Sequence, residues 1–265
     1  MQGRRLETEA VVLIANVPHM KNISSVLLEG ELDVTHMTPN AIATSRATLS
    51  PRPKELGVAV VNIGHGTTNL AVYEEGTLLA TSVIPIGGGH ITNDIAIGMR
   101  SSIDAAERIK HEHGTAATKE IAKREKIDVG VFDPTQEGVT FPRRDLAEII
   151  EARLEEIFEL VNEELQAVER ARLLPAGIVL TGGSANIPGV VDVARRTFRL
   201  PVQLGYPTLI HGPKEVVSSL EYTAALGLVL MSAEDGKQRR RRRTWKMPSW
   251  RLGERMKRFF KTVLP

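Results

Sequence analysis

Cysteine is absent from the 265 residues, and aromatic residues make up only 4% of them. The lack of cysteine excludes disulfide scaffolds, thiolate metal sites and cysteine nucleophiles. No stretch reaches the ~18 uncharged apolar residues that a membrane-spanning helix needs, and the first ten residues lack the apolar core of a secretory signal. With 42% apolar and 25% charged residues, we expect a cytoplasmic globular protein of one large domain or two smaller ones.

The formal charge of +2 hides a strong division along the chain. Residues 237–265 hold twelve Lys or Arg and one acid, Glu254, which gives +11. The other 236 residues carry 22 basic and 31 acidic side chains, which gives −9. A basic tail on an acidic body is typical of a segment that binds nucleic acid or an anionic membrane.

The acidic body alternates predicted strands and helices, so we expect an α/β or α+β fold with a mixed sheet. Apolar runs predict strands at residues 10–17, 56–61, 69–73, 77–86 and 177–180. Apolar residues at three- and four-residue steps predict helices at 92–99, 103–113, 144–173, 190–198 and 221–231. Residues 114–147 follow neither pattern, and no internal repeat is present.

Three glycine-rich turns follow predicted strands. They are Gly64-His65-Gly66-Thr67-Thr68, Gly87-Gly88-Gly89 and Thr181-Gly182-Gly183-Ser184. Glycine lets backbone N–H groups approach an anion, and the threonine hydroxyls can donate as well. Each turn alone is more often structural than ligand-binding.

The order of these motifs is more specific than any one of them. The chain reads strand–GxGTT–strand, then IGG with a helix, then AERIK at 106–110, then IVLTGGS at 178–184 and a helix. Together with residues 54–60 and 149–157, this order resembles the second half of the actin/chaperone/sugar-kinase ATPase fold. Within that fold the chain resembles the FtsA family of bacterial cell-division proteins over nearly its whole length. Residues 37–49 look like the family's helical entry to the second lobe.

The resemblance implies a site for ATP with Mg²⁺ that this chain completes only in part. Its nucleotide-contacting residues would be Gly64, Gly66, Thr67, Thr68, Gly87, Gly88, Glu107, Lys110, Gly182, Gly183 and Ser184. Without the family context, Glu107 and Lys110 are better explained as a solvated ion pair on one helix face. No catalytic residue and no protein metal ligand is implied.

The chain departs from the family pattern at the second phosphate loop and at the first lobe. Asn62 and Asn69 stand where the family has aspartates, and His65 where it has glycine. An amide carries no charge to hold hydrated Mg²⁺, so we expect nucleotide binding without efficient hydrolysis, and no enzyme activity. Residues 10–17 resemble the last strand of the family's assembly subdomain, and the first phosphate loop is absent. We therefore expect residues 8–49 to be poorly stable in isolation.

The basic tail has the composition of an interfacial membrane helix. Residues 233–243 are predicted as a flexible basic linker, and residues 244–265 as an amphipathic helix with an apolar stripe opposite a basic face. The predicted membrane-binding residues are Arg240, Arg241, Arg242, Arg243, Trp245, Trp250, Arg251, Met256, Phe259, Phe260 and Lys261. Arginine runs bind nucleic acid equally well, but the aromatic residues favour anionic lipid.

By this resemblance, residues 1–55 would be a remnant of the first lobe and 56–232 the second actin-like lobe, with 106–174 as an inserted subdomain. The implied function is to tether filaments of the tubulin-like protein FtsZ to the cytoplasmic face of the membrane at the septum. The FtsZ C-terminal peptide would bind between residues 107 and 173, and copies would associate into actin-like protofilaments. Two alternatives stay open: a degenerate or truncated ATPase or small-molecule kinase, and a segregation actin that binds nucleic acid through the arginines.

Overall fold

The computed structural model describes residues 7, 10–208 and 210–244, with side chains described as far as Glu234. The strands are β1 (Val58–Ile63), β2 (Thr68–Glu74), β3 (Thr77–Ile84), β4 (Lys126–Asp128), β5 (Thr140–Pro142), β6 (Ile178–Thr181) and β7 (Val202–Leu204). The helices are α1 (Val17–Glu29), α2 (Asn40–Thr48), α3 (Pro51–Leu56), α4 (Gly88–Met99), α5 (Ile103–His113), α6 (Arg143–Ala167), α7 (Val190–Phe198), α8 (Lys214–Val217) and α9 (Thr223–Thr244).

A five-stranded mixed sheet in the order β3-β2-β1-β6-β7 organises the fold. Strand β1 pairs antiparallel with β2 and parallel with β6, so it lies at the centre. All six of its residues are buried, as expected for a continuous apolar strand that is covered on both faces. The mixed α/β class predicted from the sequence is confirmed.

The two faces of the sheet bury different helices. On one face, alternate β1 residues such as Ala59 and Val61 share a core with α4, α5, α6 and α7. On the other face, Val58 and Val60 pack with Ala41 and Leu49, in and after α2. Helix α9 lies against α2, where the backbones of Gly227 and Ala43 are so close that a Cβ on Gly227 would lie 1.8 Å from the Ala43 carbonyl oxygen.

The prediction of a strand at residues 10–17 is wrong. Residues 10–16 pair with no described strand, and Val12 and Ile14 are 79% and 94% exposed. A helix begins at Val17 instead, because the Asn16 side chain accepts the His19 amide and Pro18 stands in the first turn. Helix α1 buries no residue, whereas α2 buries five. The expected weakness of residues 8–49 therefore has a structural basis in α1 but not in α2.

The C-terminal ends of α6 and α9 also differ from the predicted ones. Helix α6 ends at Ala167 rather than at residue 173, and Glu169 and Arg172 beyond it have positive φ angles that a helix cannot contain. Helix α9 continues to Thr244 through residues 233–243, where a flexible linker was expected. That segment is rich in Ala, Glu, Lys, Gln and Arg, which are strong helix formers.

Of the unassigned residues 114–147, the stretch up to residue 142 forms short 3-10 turns and a small two-stranded sheet of β4 and β5, and residues 143–147 begin α6. Among the helices of residues 10–208 and 210–244, none is both long and apolar enough to cross a bilayer.

Candidate nucleotide-binding cleft

All three glycine-rich turns meet at one edge of the sheet. Strands β1 and β6 are parallel, and β3 runs in the same direction because β2 is antiparallel to both β1 and β3. The carboxyl ends of β1, β3 and β6 therefore share an edge, which is where ligands bind in α/β folds. The Gly64 turn, the Gly87–Gly88 turn and the Gly182–Gly183 turn follow these strands directly.

The first two turns are held together by their backbones. The Gly88 amide donates to the Gly64 carbonyl at 2.8 Å, and the Gly89 amide donates to the His65 carbonyl at 2.7 Å. A Cβ on Gly87 would lie 2.5 Å from the Gly64 carbonyl oxygen. Glycine at position 87 therefore permits the contact that joins the two loops.

The turns enclose a cleft of about 190 Å³, smaller than the ~300–1,000 Å³ of pockets that enclose a whole small-molecule ligand. Six residues predicted from the sequence line it: Gly64, Gly88, Glu107, Lys110, Gly183 and Ser184. A cleft of this size would enclose only part of such a ligand.

Five predicted residues do not line the cleft, namely Gly66, Thr67, Thr68, Gly87 and Gly182. Thr68 is fully buried and its hydroxyl donates to the Ile86 carbonyl, so it is not available to a ligand. The Thr67 hydroxyl accepts a 3.3 Å hydrogen bond from the Asn69 amide. Gly182 has a φ of +90° and packs on the Ile63 carbonyl, so glycine is needed there for the backbone path.

Lys110 is a support for the cleft rather than a free cation. Its ammonium group donates to Oε2 of Glu107 at 2.7 Å, to Oγ1 of Thr92 at 2.7 Å and to the Gly88 carbonyl at 3.2 Å. These three acceptors match the three N–H donors of an ammonium. The Glu107–Lys110 ion pair therefore fixes the Gly88 turn, which the resemblance alone did not indicate.

Glu107 is held in its ionised form. Burial opposes its charge, but hydrogen bonds from Lys110 and Thr92 and the charges of Lys110 and His111 outweigh that effect, so the pKa of Glu107 lies below its ordinary value. The imidazole of His111 lies 3.1 Å from Oε1 of Glu107.

Sequence reasoning missed several residues that line the cleft: His111, Gly114, Asn186, Ile187, Pro188 and Glu221. His111 follows Lys110 and lies one helical turn from Glu107, a spacing that could have indicated it. Glu221 precedes α9 and had no local signal. His65 also lines the cleft, at the loop position that departs from the family pattern.

The side chains that flank the predicted phosphate loop are neutral and buried. Asn62 and Asn69 are each 5% exposed, and their amide nitrogens donate to hydroxyls of Thr44 and Thr67. In the described part of the chain, no cluster of three or more His, Cys, Asp or Glu residues could hold a metal. The phosphate loop therefore provides no carboxylate for Mg²⁺.

Comparison with known proteins identifies the family. The family model for cell division protein FtsA matches residues 59–227. The chain belongs to the FtsA family. It is 36% identical to cell division protein FtsA of Bacillus subtilis (strain 168) over 96% of this chain and 56% of that protein. It is 38% identical to FtsA of Pseudomonas aeruginosa over 87% of this chain and 55% of that protein.

This FtsA-family chain thus spans just over half the length of the relatives it matches. Solved structures show the same actin-like fold. MreB5 of Spiroplasma citri bound to ADP aligns with a TM-score of 0.64 at 17% identity, over 84% of this chain and 68% of that one. A PilM–PilN type IV pilus biogenesis complex aligns with a TM-score of 0.60 at 18% identity, over 80% of this chain and 57% of that one.

The predicted membrane-binding residues are only partly covered by the structure. Arg240 to Arg243 lie on the described backbone of α9, while their side chains are not described. Trp245, Trp250, Arg251, Met256, Phe259, Phe260 and Lys261 lie outside the described residues.

Proposed function

We propose that this FtsA-family chain acts in cell division as a peripheral membrane tether, whose body binds a partner filament and whose tail binds anionic lipid. The observation that carries this proposal is the division of charge, with −9 on the first 236 residues and +11 on the last 29. Each Lys or Arg near an anionic leaflet contributes ~1 kcal/mol before screening. The two tryptophans and two phenylalanines after the arginines add apolar anchors.

The path of α9 supports a direct connection between the cleft and this tail. Helix α9 begins at Thr223, whose hydroxyl lies 2.8 Å from that of Thr181 at the end of β6. It then runs to Thr244 and includes the arginines at 239–243. The helix therefore runs without interruption from the carboxyl end of β6 to the basic segment.

We propose further that the cleft binds ATP or ADP and does not hydrolyse ATP efficiently. Two solved MreB5 structures with the same fold are named as bound to ADP and to AMPPNP. The cleft of this chain has the glycine turns for such a ligand, but amides in place of carboxylates at Asn62 and Asn69. Without a charged group there, neither a metal ion nor an attacking water is well oriented.

The partner is proposed to be the C-terminal peptide of FtsZ, bound between residues 107 and 173, at the cytoplasmic face of the septal membrane. Family membership supports this proposal, because the relatives are named as cell division proteins. Self-association into actin-like protofilaments is proposed on the same ground.

Vesicle flotation tests the membrane part. The full chain should float with vesicles that contain phosphatidylglycerol and not with neutral phosphatidylcholine vesicles, whereas a chain truncated after Gly236 should stay in the soluble fraction. A charge-preserving variant, Trp250→Ala with Phe259→Ala and Phe260→Ala, should lose most of its flotation because the apolar anchors are gone.

Competition with duplex DNA tests the alternative that the tail binds nucleic acid. If DNA displaces the chain from anionic vesicles at equal phosphate concentration, and the triple aromatic variant binds as well as the wild type, the tail is a nucleic-acid segment and the tether proposal is wrong. Flotation of the truncated chain would contradict the assignment of the anchor.

A further inference from the structure

We propose that the phosphate loop of this chain takes the phosphates of a nucleoside di- or triphosphate without Mg²⁺. The inference rests on the proposed nucleotide binding and concerns how the charge of the phosphates is met. In the resemblance drawn from the sequence, carboxylates flank this loop. Here the loop is flanked by Asn62 at the end of β1 and by Asn69 at the start of β2, which are direct partners in the sheet register.

Both asparagines are committed to neighbours within the fold. Asn62 donates from Nδ2 to Oγ1 of Thr44 at 2.9 Å, and its Oδ1 faces Gly182, where an added Cβ would lie 2.4 Å away. Asn69 donates from Nδ2 to Oγ1 of Thr67. Mg²⁺ is held mainly by carboxylates together with phosphates and water. Two buried amides carry no charge, and Oδ1 of Asn62 is packed against Gly182, so this pair does not meet that requirement.

The carboxylates that do line the cleft are placed elsewhere. Glu107 is engaged by Lys110, Thr92 and His111, so its charge is already balanced. Glu221 lies beside Gly183, at 3.7 Å from the position of an added Cβ, and not on the phosphate loop. A single exposed carboxylate binds Mg²⁺ weakly.

The loop itself has donors for an anion. Within the described structure, the backbone amides of His65 and Gly66 donate no hydrogen bond, and both residues are exposed. Nothing lies within 4 Å of the position that a Cβ on Gly66 would take. The imidazole of His65 covers Gly89, with Nε2 2.8 Å from the position of a Cβ there. Consecutive unbonded amides in a turn can hold an anion, and the ring of His65, which lines the cleft, adds a donor beside them.

His65 therefore adds a side-chain donor to the loop. A ring N–H can donate to a phosphate oxygen, which glycine at the same position could not do. The residues at 62, 65 and 69 then have one explanation: the loop meets the charge of the phosphates with hydrogen-bond donors and not with a metal ion.

Binding of fluorescent N-methylanthraniloyl-ADP to the full chain tests the inference. Its dissociation constant should differ by less than about twofold between excess Mg²⁺ and EDTA. His65→Gly should weaken binding in EDTA by at least about fivefold, because the ring donor is lost. Asn69→Asp should create a Mg²⁺ requirement, so that EDTA weakens binding by about tenfold or more.

A tenfold or greater loss of wild-type affinity in EDTA overturns the inference, and Glu221→Gln then shows whether Glu221 holds the metal. No binding in either buffer overturns it as well, since the loop would then take no phosphate. Because the wild-type comparison needs no variant, misfolding of Asn69→Asp does not weaken the test. Loss of affinity in EDTA alone overturns this inference and leaves the proposed nucleotide binding intact, whereas absence of binding in both buffers overturns both.

Discussion

The side chain of Asn62 donates a 2.9 Å hydrogen bond to Oγ1 of Thr44, and both residues are buried. This bond joins the strand before the phosphate loop to α2, which packs against α9. Asn62 is thus a structural link between the cleft and the helix that carries the basic tail. An aspartate at this position would need Thr44 to act as the donor instead.

Thr44→Val should destabilise the fold, because it removes this hydrogen bond. Valine keeps the shape of threonine but leaves a buried amide of Asn62 without an acceptor, which costs about 1–3 kcal/mol. Urea denaturation monitored by circular dichroism measures the change in the free energy of unfolding. Thr197→Val is a matched control, since Thr197 is a half-buried helix residue that donates only to the Val193 carbonyl, and it should change stability by less than about 0.5 kcal/mol. Equal effects of both changes would contradict this assignment.

Gly227→Ala tests the contact between α2 and α9. Alanine favours a helix over glycine by ~1 kcal/mol, but its Cβ would lie 1.8 Å from the Ala43 carbonyl oxygen. The overlap involves backbone that no side-chain rotation can relieve, so we expect a net loss of about 1–3 kcal/mol. Gly66→Ala, with nothing within 4 Å of the new Cβ, is the control and should be nearly neutral in thermal denaturation. A stabilised Gly227→Ala would show that the two helices are not in backbone contact.

The elements with strong periodicity could be predicted from the sequence. Helices α5 and α7 have the predicted bounds, because their apolar residues recur at helical spacing. The apolar run at residues 10–17 was misread, because such a run predicts a strand only if another strand pairs with it. Local sequence patterns do not reveal tertiary contacts such as strand pairing. They also did not predict that α9 continues beyond its apolar part.

The candidate cleft could be located from motif order but not described in detail. The turns that follow β1, β3 and β6 were predicted to act together, and the sheet brings them to one edge. The position of Glu221 depends on where α9 starts after an irregular segment, and no spacing rule reveals that. The hydrogen bond from the Thr68 hydroxyl to the Ile86 carbonyl likewise depends on packing and could not be predicted from the motif.

Glu107 should make stability depend on pH in acid. Its pKa in the folded protein lies below the ordinary value, so the ionised form stabilises the fold. That contribution is complete above the ordinary glutamate pKa of ~4.3 and is lost as the pH falls through the lower folded pKa. We expect wild type to be more stable than Glu107→Gln at pH 7, with the difference shrinking towards pH 3 in urea titrations.

Glu148→Gln is the control for this pH dependence. Glu148 forms an exposed ion pair with Arg144 on α6, and such pairs contribute about 0–1 kcal/mol. Its effect on stability should be small at pH 7. A difference between wild type and Glu107→Gln that grows as the pH falls would refute the stabilising role of the ionised carboxylate.

Hydrogen exchange should separate α1 from α2. Helix α1 fully buries no residue, so its opening exposes little additional apolar surface and its amides should exchange nearly as fast as those of an unfolded segment. Helix α2 buries Ala41, Ala43 and Ala47, with Ala41 packed on the sheet and Ala43 against Gly227 of α9. Its amides should therefore be protected by at least about a hundredfold more. Mass spectrometry of peptides that cover residues 18–29 and 41–48 measures both rates in one sample. Equal protection of the two helices would mean that α1 is packed in solution, and rapid exchange of both would mean that α2 leaves the sheet as readily as α1 unfolds.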